Sequence, residues 1–244
     1  ACIMKTVLIT GANRGVGLAL TQAYAQIADT TVIAACRDPE KATELRSTAN
    51  TPESSIDITR LDVNSPSSID QCVAALTEKY DSLDTLINNA GVFGGSVPEP
   101  MVQTARFGSL GMDEMLDVFR TNTVAPVLMA QACLHLLRKG TNTRIINISS
   151  DAGSITLREN KGNYTYMASK AGLNMMTRCI AADLRDEKIV AVSMHPGFLR
   201  TDMGGAEAPM SLEETIPSLI QQIEGLSMAD TGRFVNWDGA TIPW

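Results

Sequence analysis

Seven short apolar runs rich in β-branched residues lie at 5–10, 31–36, 56–62, 84–88, 143–149, 189–194 and 233–236. Segments of helical periodicity fall between them, near 15–28, 39–49, 66–80, 112–138, 164–186 and 211–224. The runs are close to continuously apolar, as strands covered on both faces must be. Parallel strands need long crossovers, and a helix supplies one. The alternation therefore predicts an α/β chain with a doubly wound, seven-stranded parallel sheet and helices on both faces. Pro39 and Pro66 open their helices after Asp38 and Ser65, which read as N-caps. No Pro/Gly/Ser-rich linker or charge run divides the 244 residues, and 44% of them are apolar. One domain over residues 1–244 with a large core is expected.

In such a sheet, ligands bind beyond the carboxyl ends of the strands. Gly11, Arg37, Asp62, Asn89, Ser150 and Pro196 each follow a strand-like run. The first is the most telling. Lys5–Thr10 leads directly into Gly11-Ala-Asn-Arg-Gly15-Val-Gly17, after which Leu18, Leu20, Ala23, Tyr24 and Ile27 carry helical spacing. Strand, glycine turn and helix make a Rossmann-type phosphate cradle. The glycines let backbone approach a pyrophosphate, and the helix N-terminus offers free N–H groups and a positive dipole end. Gly11, Asn13, Arg14, Gly15 and Val16 are the candidate binding residues of this turn. Its spacing is G-x-x-x-G-x-G rather than G-x-G-x-x-G, and a glycine turn without a ligand is the competing reading.

A second constellation lies in Tyr166-Met-Ala-Ser-Lys170. At ~100° per residue, positions four apart on a helix differ by only ~40° in azimuth, so a phenol and an ammonium point the same way. A fixed cation favours the phenolate and is expected to lower a phenol pKa of ~10. Tyr164 lies ~240° from Lys170 and faces away. Taken alone the pair is weak, because such pairs are common on solvated helices.

Together these residues resemble the short-chain dehydrogenase/reductase family. The resemblance runs in order through Thr10-Gly11-x-x-x-Gly15-x-Gly17, Asp62-Val63, Asn88-Asn89-Ala90-Gly91, Asn122, Ser149-Ser150, Tyr166-x-x-x-Lys170 and Pro196-Gly197. The tail from His195-Pro-Gly to Pro243-Trp244 is similar to that of sniffer-type carbonyl reductases. The resemblance implies a nicotinamide cofactor and a carbonyl reduction. Tyr166 then gives the proton, and Lys170 lowers its pKa and bonds the nicotinamide ribose. A Ser hydrogen-bonds the substrate oxygen, and Asn122 holds a water between Lys170 and solvent. Ser149 and Ser150 point to opposite faces of a strand, so only one meets the pocket. The family places this Ser before x-x-Gly, here Asp151-Ala-Gly153, which selects Ser150. Asp62 and Val63 flank the adenine, while Asn89, Ala90 and Gly91 line the adenosine ribose. Pro196, Gly197 and Thr201 grip the carboxamide. Asn88 reads as structural.

NAD-binding chains usually carry Asp or Glu at the end of the second strand. Here Cys36 stands there and Arg37 follows, with Arg14 on the same side. A carboxylate would repel a 2′-phosphate, whereas an arginine fork binds one. NADPH/NADP+ is the expected cofactor.

The net charge of −7 argues against nucleic acid and anionic membranes as partners. Five widely spaced cysteines, at 2, 36, 72, 133 and 179, read as mostly buried free thiols. His135 and His195 lack ligand-like neighbours, so no metal is expected. With no signal-type start and no apolar run of ~18 residues, a cytoplasmic location is expected. The 202–226 segment reads as a lid over a small-molecule carbonyl substrate. Phe93-Gly94-Gly95, Phe198 and Trp237 read as apolar wall, and Met203, Met210 and Met228 as lid residues. Helices 112–138 and 164–186 form a homodimer face in many relatives, although monomers also occur. Two other functions remain open from sequence: a 3-oxoacyl-thioester reductase, whose basic entrance would need Arg106, Arg158, Lys161 and Arg200, and a catalytically idle NADP(H)-sensing protein.

Overall fold

Residues 4–51, 54–94, 107–159 and 162–244 are described by a computed structural model. Lys5–Thr10 is the central strand β1, and the glycine turn leads into α1 (Gly15–Tyr24). Then follow β2 (Thr30–Cys36), α2 (Thr43–Ala49), β3 (Ile56–Arg60), α3 (Pro66–Lys79), β4 (Thr85–Asn88), α4 (Met112–Phe119) and α5 (Ala125–Leu137). The chain closes with β5 (Arg144–Ile148), α6 (Tyr164–Asp183), β6 (Val190–His195), α7 (Leu212–Gly225) and β7 (Phe234–Asn236). The seven strands pair in parallel in the order β3-β2-β1-β4-β5-β6-β7. This is the doubly wound sheet that the alternation predicts. Its order reverses between β1 and β4, which places a crevice above their carboxyl ends.

Alternation along β1 divides the core. Val7 and Ile9 pack with Leu18 and Leu20 of α1 and with Ile216, Leu219 and Ile223 of α7. Leu8 faces the other side, with Ile69, Cys72 and Leu76 of α3 and Met129, Cys133 and Leu136 of α5. Beneath the sheet, the buried Asp84 carboxylate accepts the Thr6 N–H at 2.8 Å and the Thr141 N–H at 2.6 Å. Glu224 of α7 is bonded by Lys5 and, at 2.9 Å, by the Tyr24 hydroxyl, which ties α7 to β1 and α1.

Three details depart from the sequence reading. The single helix expected over 112–138 is broken by a π-helical turn, Arg120–Val124, between α4 and α5. Pro126 explains the break: it has no N–H to return to the Asn122 carbonyl four residues earlier, and its ring crowds that carbonyl. The helix expected over 39–49 is a short 3₁₀ turn, Pro39–Lys41, followed by α2. Asp38 stands at the N-cap of that turn, but its side chain caps nothing and pairs with Lys41 at 2.7 Å. Ser65 does cap α3, accepting the Ser68 N–H. Cys36, Cys72 and Cys133 are buried free thiols, but Cys179 is exposed; Cys2 lies outside the described residues. No described helix is long and apolar enough to cross a membrane.

Gly17 is the tightest point of the β1–α1 turn. A Cβ there would collide with the Gly11 carbonyl oxygen and the Asn89 amide. Gly17→Ala is expected to lower stability by ~1–3 kcal/mol, the usual cost of overpacking. A urea midpoint unchanged from wild type would show that this contact relaxes freely.

Candidate active site

The crevice begins at the glycine turn. Gly11 and Gly15 have φ of +66° and +52°, a conformation costly for side-chain-bearing residues. Arg14 occupies the N-cap of α1 in an extended conformation, no side chain caps the helix, and its first turn carries no acid. Those N–H groups therefore remain available to an anion. The cradle is held by its neighbours. The Thr10 hydroxyl accepts the Asn89 and Ala90 N–H groups, both at 3.0 Å. Asn89 Nδ2 donates to the carbonyls of Thr10 and Gly11 at 2.9 and 3.1 Å. Asn88 is bonded to Asn147 and the Pro126 carbonyl, inside the sheet.

Around this cradle, Arg37 is exposed at the end of β2 beside buried Cys36. Arg14 reaches Asp202 at 3.4 Å, so its guanidinium leans toward the segment that follows β6. Asp62 spends Oδ1 on the Asn64 N–H at 3.0 Å, and Val63 is half-buried beside it. Thr201 approaches the turn closely enough that a Cβ on Gly15 would lie 3.7 Å from its methyl group. Asn13 is exposed and Val16 half-buried. Pro196 is buried, and Gly197, at φ +97°, lies against Met210 and Trp237.

Along the crevice, α6 delivers the phenol and the ammonium. Asn163 caps this helix by accepting the Tyr166 N–H at 2.8 Å, and its amide reaches the Phe93 carbonyl. Tyr164 points outward and is 49% exposed, whereas Tyr166 packs inward with its ring 4.8 Å from that of Phe93. Lys170 Nζ lies 5.7 Å from the Tyr166 ring centre and donates to the Ile148 carbonyl at 2.8 Å. A Cβ on Gly153 would strike the Lys170 backbone at 2.8 Å, so glycine lets the loop after Ser150 lie against α6.

The two serines separate as strand geometry requires. Ser149 donates to Asn174 Oδ1 at 2.7 Å inside the core. Ser150 turns to the other side, toward the Tyr166 phenol, and its hydroxyl donates to Asp151 Oδ1 at 3.1 Å.

Electrostatics differ from the sequence expectation in one respect. Burial pushes Tyr166 up to about 12, against a smaller lowering from the Ser150 hydrogen bond. Burial also brings Lys170 down to about 8. Desolvation therefore outweighs any lowering of the phenol, and the Lys170 ammonium is engaged by the Ile148 carbonyl.

Asn122 is fully buried in the π turn. Its Oδ1 accepts the Val92 N–H at 2.9 Å, and its Nδ2 donates to the Val92 carbonyl and to Ser169 Oγ. Both side-chain atoms are thus committed to the protein, leaving the main-chain carbonyl, deprived of its helical partner by Pro126, as the atom able to hold water. Gly91 stands where a Cβ would lie 3.4 Å from Asn122 Oδ1 and 3.7 Å from Lys170 Nζ.

The rim is only partly as expected. Phe198 is exposed, and Trp237 backs Gly197. The 202–226 segment is irregular only as far as Met210. From Leu212 it is α7, started by a Ser211–Glu214 capping box and packed on the core through Ile216, Leu219 and Ile223. Met228 packs against the same core rather than in a lid. Gly95, Arg106 and Lys161 lie outside the described residues. Sequence reasoning assigned no role to Asn163, Asn174 or Ser169. Asn163 three residues before Tyr166 was a readable cap signal, but the other two depend on helix-to-sheet packing.

Residues 5–211 match the short chain dehydrogenase family. The chain belongs to the short-chain dehydrogenases. Among solved structures, this short-chain dehydrogenase is similar to the NADPH-bound carbonyl reductase from chicken fatty liver. The two are 35% identical with a TM-score of 0.89, covering 99% of this chain and 100% of that one. It is similar also to the carbonyl reductase Sniffer of D. melanogaster, at 34% identity and a TM-score of 0.88, with coverage of 99% and 100%. An uncharacterized oxidoreductase of Schizosaccharomyces pombe is 30% identical, over 98% of each chain.

Ser149→Ala strands the buried Asn174 carbonyl oxygen and is expected to cost ~1–3 kcal/mol in urea unfolding. An unaltered midpoint would show that Asn174 finds another donor.

Proposed function

We propose that the protein is an NADPH-dependent carbonyl reductase acting on a small neutral ketone, aldehyde or quinone. The observation that carries this reading is the convergence of Ser150, Tyr166 and Lys170 at the end of a crevice whose other end is an uncapped helix N-terminus. The cradle fits a dinucleotide: side chains are excluded where a pyrophosphate would approach, and the first turn of α1 carries no acid. Gly11, Asn13, Arg14, Gly15 and Val16 would hold the pyrophosphate. Asp62, Val63, Asn89, Ala90 and Gly91 would hold the adenosine, and Pro196, Gly197 and Thr201 the carboxamide. The reduced cofactor supplies the hydride when bound. The NADPH- and NADP-bound states of similar reductases support the cofactor assignment.

The chain's own groups then manage the proton. At about 12, Tyr166 is protonated throughout the neutral range, so it enters reduction as an acid and gives its proton to the carbonyl oxygen. Ser150 donates a hydrogen bond to the same oxygen as negative charge develops there. Lys170, at about 8, is largely an ammonium at pH 7 and reaches the ribose once it leaves Ile148. The Asn122 carbonyl offers the water site through which a proton returns. A cytoplasmic location and a homodimer through the α4–α6 region complete the reading, the latter supported by exposed Met112, Leu116, Met175 and Met176. A thioester reductase would need a basic entrance, and Arg200 instead bonds the Ala208 and Pro209 carbonyls at 3.0 Å. An idle sensor would have no use for the acid–base set.

Tyr166→Phe should keep the fold and NADPH binding while turnover falls by ~100-fold or more, the contribution of general acid catalysis. Tyr164→Phe, at an exposed ring, should alter turnover little. NADPH oxidation with 9,10-phenanthrenequinone measures both, and a dead Tyr164→Phe beside an active Tyr166→Phe would overturn the assignment.

Arg37 is proposed to select NADPH, since it is an exposed cation directly after Cys36, which stands where NAD-binding chains carry an acid. A charge-assisted contact to phosphate is worth ~1.5–3 kcal/mol. Arg37→Ala should raise KM for NADPH ~10–100-fold and leave KM for NADH nearly unchanged. Cys36→Asp should go further by repelling the phosphate. Equal wild-type efficiency with the two cofactors would refute the selection.

A further inference from the structure

Ser150 has a neighbour that the proton path does not use. Asp151 Oδ1 accepts the Ser150 hydroxyl at 3.1 Å and lies 3.8 Å from His195 Nε2. The Asp151 charge also reaches Tyr166, where it raises the phenol. Ser150 has a single proton, and both the phenol oxygen and the carboxylate face it. The groups around the carboxylate are Ser150 on its own turn, Tyr166 and Lys170 from α6, and His195 from β6. None neutralises it. Lys170 spends its ammonium on the Ile148 carbonyl at 2.8 Å. Burial holds His195 below its ordinary value, with Asp151 pulling the other way and Lys170 adding to the lowering. The imidazole is therefore uncharged at neutral pH, and its Nδ1 is buried without a partner. The Asp151 side chain remains 59% exposed, an unpaired negative charge beside the hydroxyl that meets the substrate oxygen.

We propose that Asp151 is a charge filter. It disfavours carbonyl compounds bearing a carboxylate or another anion next to the reacting carbon, and admits neutral ketones, aldehydes and quinones or those bearing a cation there. This rests on the carbonyl-reductase reading and narrows its substrate class. A carbonyl oxygen bonded to Ser150 lies ~3 Å from that hydroxyl, so a substituent on the adjacent carbon falls within ~4–7 Å of Asp151. Like charges at that separation, discounted for the exposure of Asp151, change affinity by roughly tenfold or more.

The test compares wild type, Asp151→Asn and Asp151→Leu with NADPH, using benzoylformate and its methyl ester as a charged and neutral pair. The pair is measured as substrates or, where turnover is absent, as competitive inhibitors of phenanthrenequinone reduction. Asn keeps the size and the acceptor for Ser150, and Leu removes both acceptor and charge. In both variants benzoylformate should gain ~10-fold or more relative to the ester, in kcat/KM or in affinity as an inhibitor. The gain should shrink as salt is raised. An ester-to-acid ratio equal in wild type and Asp151→Asn overturns the filter while leaving carbonyl reduction intact. A gain confined to Asp151→Leu assigns the effect to the lost acceptor and also overturns it. Wild type inactive on both quinone and ester overturns the function on which the filter rests.

Discussion

The contact on which the structure depends is the meeting of three backbone segments at the point where strand order reverses. The Gly11 and Thr10 carbonyls, the close-packed Gly17 and the Asn89 amide share one small volume, and the Thr10 hydroxyl binds the Asn89–Ala90 backbone from the other side. This knot joins the ends of β1 and β4 and sets the start of α1. It thereby opens the crevice, keeps the helix N-terminus uncapped, and orients the strand from which Gly91 and Val92 run toward Asn122. Each of those consequences would be lost if a side chain occupied Gly17 or if Asn89 could not donate to two carbonyls.

A second dependency links helix irregularity to chemistry. Pro126 withholds one N–H, the helix responds with a π turn, and Asn122 is carried to the wall of the crevice with its carbonyl denied the usual donor four residues on. Its side chain then locks Val92 and Ser169, which fixes α6 relative to the loop after β4. The residue is thus structural through its amide and available to solvent chemistry through its main chain. Burial does the rest: it raises the phenol and lowers the ammonium, so Tyr166 is protonated and Lys170 mostly charged at neutral pH. That combination suits proton donation to a carbonyl.

Some of this was legible residue by residue. Strand runs and helical periodicity are local signals, and they place all seven strands within two residues of their observed ends. Helical azimuth separates Tyr166 from Tyr164, and strand alternation requires Ser149 and Ser150 to part company, though not which of them faces Tyr166. Other features failed for identifiable reasons. Asp38 read as a cap because Pro follows it, but Lys41 competes successfully for its carboxylate. The 212–225 stretch read as lid, yet its apolar spacing serves packing on α1.

The sequence by itself determined the sheet, the glycine turn and the helix face that carries Tyr166 and Lys170, because each follows from spacing along one element. Only the tertiary structure decided the electrostatics of the site. Whether Lys170 lowers Tyr166 depends on how much water burial removes from each and on the Ile148 carbonyl that engages the ammonium. The placing of Asp151 between Ser150 and His195 was likewise settled by β5 and β6 lying side by side. Desolvation and cross-element contacts are properties of the packed molecule, and no pattern along one strand or helix encodes them.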